Sequence, residues 1–198
     1  GLGDVYKRQM IGIDNSEEML AEAMEKRAES GHDILYLLQD MQDFELYGTV
    51  RAVISVCDSM NYLTDEEDLE YLFALVNNYL DPGGIFVFDM NTPYKYREVI
   101  GNTTIAENRE EGSFIWENCF DEESQVNEYA LTLFIKEEDD LYRKHEEFHY
   151  QKAYEPERVK ELLEEAGLKV EAIYDAFTRE PVREDSERIY FIARECTK

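Results

Sequence analysis

The chain is 198 residues long, with 46 acidic residues against 20 basic ones and a formal net charge of -26. That length suits one domain with a real core, or one domain with a small appended lobe, and argues against two full domains. The charge repels phosphate backbones and no basic patch offsets it, so a nucleic-acid partner is excluded and a small molecule or a basic protein is favoured.

The acids fall in short solvated clusters, Asp65–Asp68, Glu107–Glu111, Asp121–Glu123 and Glu137–Asp140, a pattern that serves solubility. Cys57, Cys119 and Cys196 are odd in number and share no metal or redox spacing, which fits a reducing compartment. No run approaches the roughly 20 apolar residues of a membrane span, and no basic-then-apolar signal segment is present. A cytoplasmic protein without a membrane partner is expected.

Gly1–Gln9 has no helical periodicity, and its Gly-Leu-Gly invites a phosphate-loop reading. A dinucleotide fingerprint needs glycines after a strand and roughly 20 residues before the acidic residue, with a helix between. Gly3 stands too close to Asp14 for that, so Gly1 and Gly3 are rejected as ligands and residues 1–9 are set aside as a leader, native or foreign. Met10–Ile13 is then a short β-branched strand stopped by Asp14, and Asn15 and Ser16 open a helix with Glu17 and Glu18 in its first turn. At the carboxyl end of a parallel strand, Asp14 can accept two hydrogen bonds from a vicinal diol; a helix cap is the alternative reading.

Helix Ser16–Glu29 places Met19, Leu20, Ala23, Met24 and Ala28 on one side, with the methionines read as core, and Ser30-Gly31 ends it. Ile34–Leu38 is the next strand, again followed by an acid, Asp40. Ala52–Val56 reads as a buried strand leading into Cys57-Asp58-Ser59-Met60-Asn61-Tyr62. Thr64 is read as the cap of a helix carrying Leu69, Leu72, Phe73, Leu75, Val76 and Leu80. Asp81-Pro82-Gly83-Gly84 forms a turn, and Ile85–Phe88 is a fourth strand ending at Asp89. Alternating strands and helices predict a parallel sheet.

After Asn91 the period becomes two. Thr103–Ala106, Gly112–Phe120, Gln125–Lys136 and Asp140–Ala153 read as antiparallel strands, with Phe114 and Trp116 on one face and Tyr129, Leu131 and Leu133 on another. His145 and His149 share a strand face without a third ligand to complete a metal site, so no metal is expected. Tyr94–Arg97 either meets an anionic substrate or covers a core edge. Pro156–Ala166 is a helix with Gly167 as its cap, and Leu168–Tyr174 and Arg188–Ala193 are the last strands, around a charged loop holding Phe177 and Arg179. Residues 10–100 and 151–198 thus make an α/β core, and residues 101–150 an antiparallel β insert.

Four stretches together, Ile-Gly-Ile-Asp-Asn-Ser-Glu-Glu-Met-Leu, Leu-Gln-Asp-Met, Val-Cys-Asp-Ser-Met-Asn-Tyr-Leu and Leu-Asp-Pro-Gly-Gly-Ile-Phe-Val-Phe-Asp-Met-Asn, span Met10–Asn91. In order and spacing they resemble the class I S-adenosylmethionine-dependent methyltransferases, especially a small bacterial branch with a β-rich lid. The resemblance implies a Rossmann-like, mostly parallel sheet with an antiparallel last strand, and S-adenosylmethionine as cofactor. It places Asp14 and Asn15 at the ribose, Asp40 and the Met41 amide at the adenine, and Cys57 beside the methyl-transfer site. Asp58 and Asn61 become candidate catalytic residues, and Tyr62, Asn91, Tyr94 and Trp116 candidate substrate contacts. The family's first strand and glycine-rich loop would lie before Met10, so the sheet is expected to lack them and activity to be impaired. The insert is expected to be a lid over a small-molecule acceptor, or else a homodimer face.

Two rival readings stand beside this one. Asp14 would bind a ribose in a nicotinamide-dependent oxidoreductase as well, and the absent glycine loop fits an inactive fragment or partner-binding module. The methyl acceptor is not specified by these residues.

Overall fold

A computed structural model describes residues 9–137 and 141–198. Gly1, Gly3 and the rest of the leader before Gln9, together with Asp140, the expected start of a lid strand, lie outside the described residues. The chain divides into two units, Gly1–Gly48 and Thr49–Lys198.

The first unit is a β-α-β motif. Strands β1 (Met10–Asp14) and β2 (Ile34–Leu38) pair in parallel, Met10 opposite Ile34 and Asp14 opposite Leu38, with helix α1 (Glu17–Ser30) between them in sequence. Ser16 caps α1 by accepting the Met19 amide at 3.2 Å, and Gly31 ends it at φ 68°, a left-handed position that suits glycine. Gly12 lies beneath the Tyr36 ring, where a Cβ would come within 2.7 Å of it. The reading of Met19 and Met24 as core is overturned: both are exposed, and Leu20 alone in α1 is buried. Two strands cover only a narrow stripe of a helix, too little to bury a full apolar face.

The second unit holds two sheets. One has the order β3-β4-β10-β9, from β3 (Val50–Ser55), β4 (Leu80–Asn91), β9 (Leu168–Asp175) and β10 (Arg188–Glu195). β3 and β4 are parallel, while β10 is antiparallel to β4 and to β9. The Asp81–Gly84 turn sits inside a longer β4, as an irregularity where the register shifts between Val50 and Ala52. Phe86 and Phe88, both fully buried, stack on each other with ring centroids 4.6 Å apart, and Phe88 stacks on Phe191 at 4.9 Å. Helix α2 (Glu66–Tyr79) brings Leu69, Leu72, Phe73 and Val76 to the core, and α3 (Pro156–Glu165) brings Val159, Leu162 and Leu163. Asp65 rather than Thr64 occupies the cap position of α2; the Thr64 carbonyl instead receives the Lys152 ammonium at 2.9 Å. Ala166 takes the cap position of α3, and Gly167 follows it at φ 82°.

The other sheet is the insert, an antiparallel meander β5-β6-β7-β8 made of Thr104–Asn108, Gly112–Asp121, Val126–Lys136 and Tyr142–Lys152. Phe114 lies opposite Leu133, Trp116 opposite Leu131 and Tyr129 opposite His149. Tyr96, Ile100, Phe120, Tyr129 and Ala153 form a buried cluster at the base of this sheet, with Trp116 packed against it. Among the described residues no helix is long and apolar enough to cross a membrane.

Candidate active site

In the first unit the carboxyl ends of β1 and β2 stand side by side, tied by the Gln39 amide donating to the Asp14 carbonyl at 3.0 Å. Asp14 Oδ1 accepts the Ser16 amide at 2.9 Å, and Asp40 Oδ1 accepts the Gln42 amide at 2.9 Å. In each carboxylate the second oxygen accepts nothing from a described residue, and the Met41 amide donates to none. Two carboxylates with a lone-pair oxygen to spare and one free N–H, at adjacent strand ends, match the donors and acceptors of an adenosine. Asp14 is therefore both a local turn acceptor and an open one. Asn15, next in the chain, is exposed.

The second unit gathers its polar residues where β3 and β4 end. Cys57 and Asp58 are both left-handed, φ 68° and 52°, an uncommon conformation for non-glycine residues that turns the chain sharply into the short 3-10 segment Ser59–Tyr62. The turn is held by the Asp58 amide donating to Asp89 Oδ1 at 3.1 Å. Cys57 is exposed, whereas Asn61 is fully buried. Asn61 accepts the Asn91 amide at 2.9 Å and donates to the carbonyls of Asn91 and Lys152 at 3.2 and 2.9 Å.

Arg188, the first residue of β10, bridges two carboxylates: Nη2 donates to Asp58 Oδ1 at 2.6 Å and Nη1 to Asp89 Oδ2 at 2.7 Å. Burial works against the guanidinium charge, but Asp58 and Asp89 outweigh it and raise the Arg188 pKa. Asp58 Oδ2 accepts Gln151 Nε2 from β8 at 2.6 Å. Gln151 Oε1 in turn accepts the Tyr96 and Tyr129 hydroxyls at 2.9 and 2.7 Å. Burial, first of all, raises the pKa of both tyrosines, which stay neutral donors. Lys95 donates to Asn91 Oδ1 at 3.0 Å; burial and then Arg188 lower its pKa. Two carboxylates thus face two cations in a network of interlocked partners.

At the edge of this network the groups are less committed. The Tyr62 hydroxyl lies 3.4 Å from His149 Nδ1, and His149 Nε2 lies 3.3 Å from Glu147 Oε2. Burial, then Asp58 and Glu147, raise the Tyr62 pKa. His145 lies on the same face of β8, and no group of three or more metal-ligating side chains occurs among the described residues. Trp116 reaches the region through Tyr129, with ring centroids 5.4 Å apart. Tyr94 instead lines a cleft of about 640 Å³ with Thr92, Arg97, Glu155 and Arg183, and none of Asp58, Asn61 and Tyr62 lines it.

The structure therefore brings Asp14, Asn15, Asp40 and Met41 together in one unit, and Asp58, Asn61, Tyr62 and Asn91 in the other. Sequence reasoning missed Arg188, Gln151 and Tyr129 at this site, and of the two roles it gave Tyr96 the structure shows the core one, since Tyr96 is fully buried. The period-two run His145, Glu147, His149, Gln151 in β8 was the available signal for a polar face of the insert.

Residues 2–84 match the family model described as a methyltransferase domain. A protein of Geobacillus sp. (strain WCH70), named as a candidate methyltransferase, is 34% identical over 186 residues, covering 93% of this chain and 75% of that relative. YqeM of Bacillus subtilis (strain 168), named likewise, is 33% identical over 94% of this chain and 75% of its own length. The crystal structure of an S-adenosylmethionine-dependent methyltransferase from Clostridium acetobutylicum ATCC 824 superposes with a TM-score of 0.89 at 28% identity, over 95% of this chain and 75% of that one.

Proposed function

This chain belongs to the class I S-adenosylmethionine-dependent methyltransferases, and from that premise we propose that it methylates a small molecule beneath the lid of its second unit. When bound, S-adenosylmethionine supplies a methyl group on a cationic sulfur that departs as a neutral thioether. Asp14, with Asn15 beside it, is assigned to the ribose hydroxyls, and Asp40 and the Met41 amide to the adenine. The observation that carries this is the unspent carboxylate oxygen on each of two adjacent strand ends.

Cys57 is assigned to the turn lining the transfer site, and Asp58 and Asn61 are proposed to act there by position. Both oxygens of Asp58 are already bonded, to Arg188 and Gln151, so it orients neighbours rather than accepting protons. Asn61 ties β8 to the end of β4. Tyr62 and Trp116 offer aromatic faces for a cationic methyl donor; Asn91, buried, is proposed to support the acceptor side through Lys95 and Tyr96, and Tyr94 lines the separate cleft. A small acceptor is favoured because β8 is tied through Asn61 to the end of β4 and through Gln151 to Asp58 in the turn after β3. Free thiols at Cys57, Cys119 and Cys196 support a cytoplasmic location. The exposed Ile115, Phe148 and Tyr150 of the insert support a homodimer face.

The test is incubation with methyl-tritiated S-adenosylmethionine and two fractions of one bacterial extract, low-mass metabolites and macromolecules. Label in the low-mass fraction is expected; label in protein or nucleic acid alone would refute the small acceptor. Displacement of S-adenosylhomocysteine by NADH would reinstate the oxidoreductase reading.

A further inference from the structure

We propose that His149 takes the acceptor's proton during transfer, that Glu147 positions it, and that the acceptor is therefore an amine or a hydroxyl rather than a carboxylate. This rests on the methyltransferase reading above. Asp58, in the turn itself, has both oxygens bonded and an arginine against it, and Asp89 has both oxygens bonded as well. Lys95 is a donor held on Asn91. His149 differs, since its Nε2 faces a carboxylate and its Nδ1 faces only the Tyr62 hydroxyl.

A carboxylate at Nε2 selects the Nε2–H tautomer and leaves the Nδ1 lone pair pointing toward Tyr62. Strand geometry enforces this arrangement: Glu147 and His149, two apart on β8, share a face, and that face is the one on which Tyr129 lies opposite His149. The tyrosine and imidazole rings meet edge to face at 5.8 Å. The groups that face His149 are Glu147 and His145 from β8, Tyr129 from β7, Asn118 from β6, and Tyr62 and Asp58 from the turn. His149 and Tyr62 are also open enough to meet an acceptor, with the His149 side chain 36% exposed.

The step balances. The acceptor's X–H proton passes to Nδ1, directly or through the Tyr62 hydroxyl, and its lone pair forms the new bond to the methyl carbon. The C–S pair returns to sulfur. One positive charge precedes the step, on sulfur, and one follows it, on an imidazolium paired with Glu147. An ionised carboxylate has no proton to shed and would not need His149.

Three measurements on the full chain test this. Titration with S-adenosylhomocysteine comes first: no binding by the wild type defeats the methyltransferase reading, while equal binding by wild type and His149→Gln clears the way for the rest. Imidazole ¹⁵N NMR should then show the Nε2–H tautomer at His149. In Glu147→Ala, which removes the acceptor at Nε2, the preference for that tautomer should weaken. An Nδ1–H tautomer in the wild type, or a preference unmoved in Glu147→Ala, overturns the proposal. Last, tritiated methyl transfer is followed to benzylamine, phenol and benzoate. Labelling of the amine or the phenol should drop about 10²-fold or more in His149→Gln, within the usual range for a general base. KM should change little, and the rise of rate with pH should vanish. Labelling of benzoate alone, or turnover of amine and phenol indifferent to the substitution, overturns it. If none of the three is labelled, the tautomer and its response to Glu147→Ala decide.

Discussion

Four aspartates follow parallel strands in this chain, and the two units use them in opposite ways. Asp14 and Asp40, in the first unit, each spend one oxygen on a local amide and keep the other. Asp58 and Asp89, in the second, spend all four oxygens on Arg188, Gln151 and the Asp58 amide. The same residue type near a strand end keeps an oxygen available where it is open and is a structural anchor where it is closed. An unspent lone pair, not the presence of a carboxylate, is what the proposed binding role of Asp14 and Asp40 rests on.

Breaking the closed end should cost most. Arg188→Met leaves the buried Asp89 and the half-buried Asp58 without their cation, and about 3–5 kcal/mol of stability should disappear in urea unfolding. Next comes Gln151→Leu, which strips partners from Asp58, Tyr96 and Tyr129; a loss of about 1–3 kcal/mol is expected. At the open end, Asp14→Ala should shift the same unfolding curve by no more than about 1 kcal/mol, since one half-buried turn bond is all it removes. A cost equal to that of Arg188→Met would erase the contrast between the units.

The smallest effect is read as a pH slope. Glu195 accepts the amides of Gly83, Thr197 and Lys198, and the Gly83 bond foremost depresses its pKa from 4.5 to about 2. A pKa lowered on folding contributes stability that is complete above the unfolded value and lost as pH falls through the folded one. The Tm difference between wild type and Glu195→Gln should therefore be constant above about pH 5. It should shrink between 4.5 and about 2. A difference that grows with acid would contradict the assigned bonds.

The open end was legible in the sequence because its signals are local: β-branched strand, acid, cap and helix lie within a dozen residues of Asp14. The closed end was not, because its partners come from far along the chain. Arg188 reaches Asp58 across 130 positions, and Gln151 reaches it across 93. Period two in β8 placed His145, Glu147, His149 and Gln151 on one face, but alternation alone does not say whether that face meets solvent or the end of another strand. Met19 and Met24 failed in the converse way: a helical stripe is visible in sequence, while the surface available to cover it is a property of the unit around it.

The central claim is that Asp14 holds the cofactor with the oxygen it keeps free. Calorimetric titration of the 198-residue chain with S-adenosylhomocysteine, beside Asp14→Ala and Asp14→Asn, tests it directly. The account predicts binding by the wild type and at least a tenfold loss in Asp14→Ala, about 1.4 kcal/mol, with Asp14→Asn between them and all three folded. Equal affinity in wild type and Asp14→Ala, or no binding by the wild type, would contradict it.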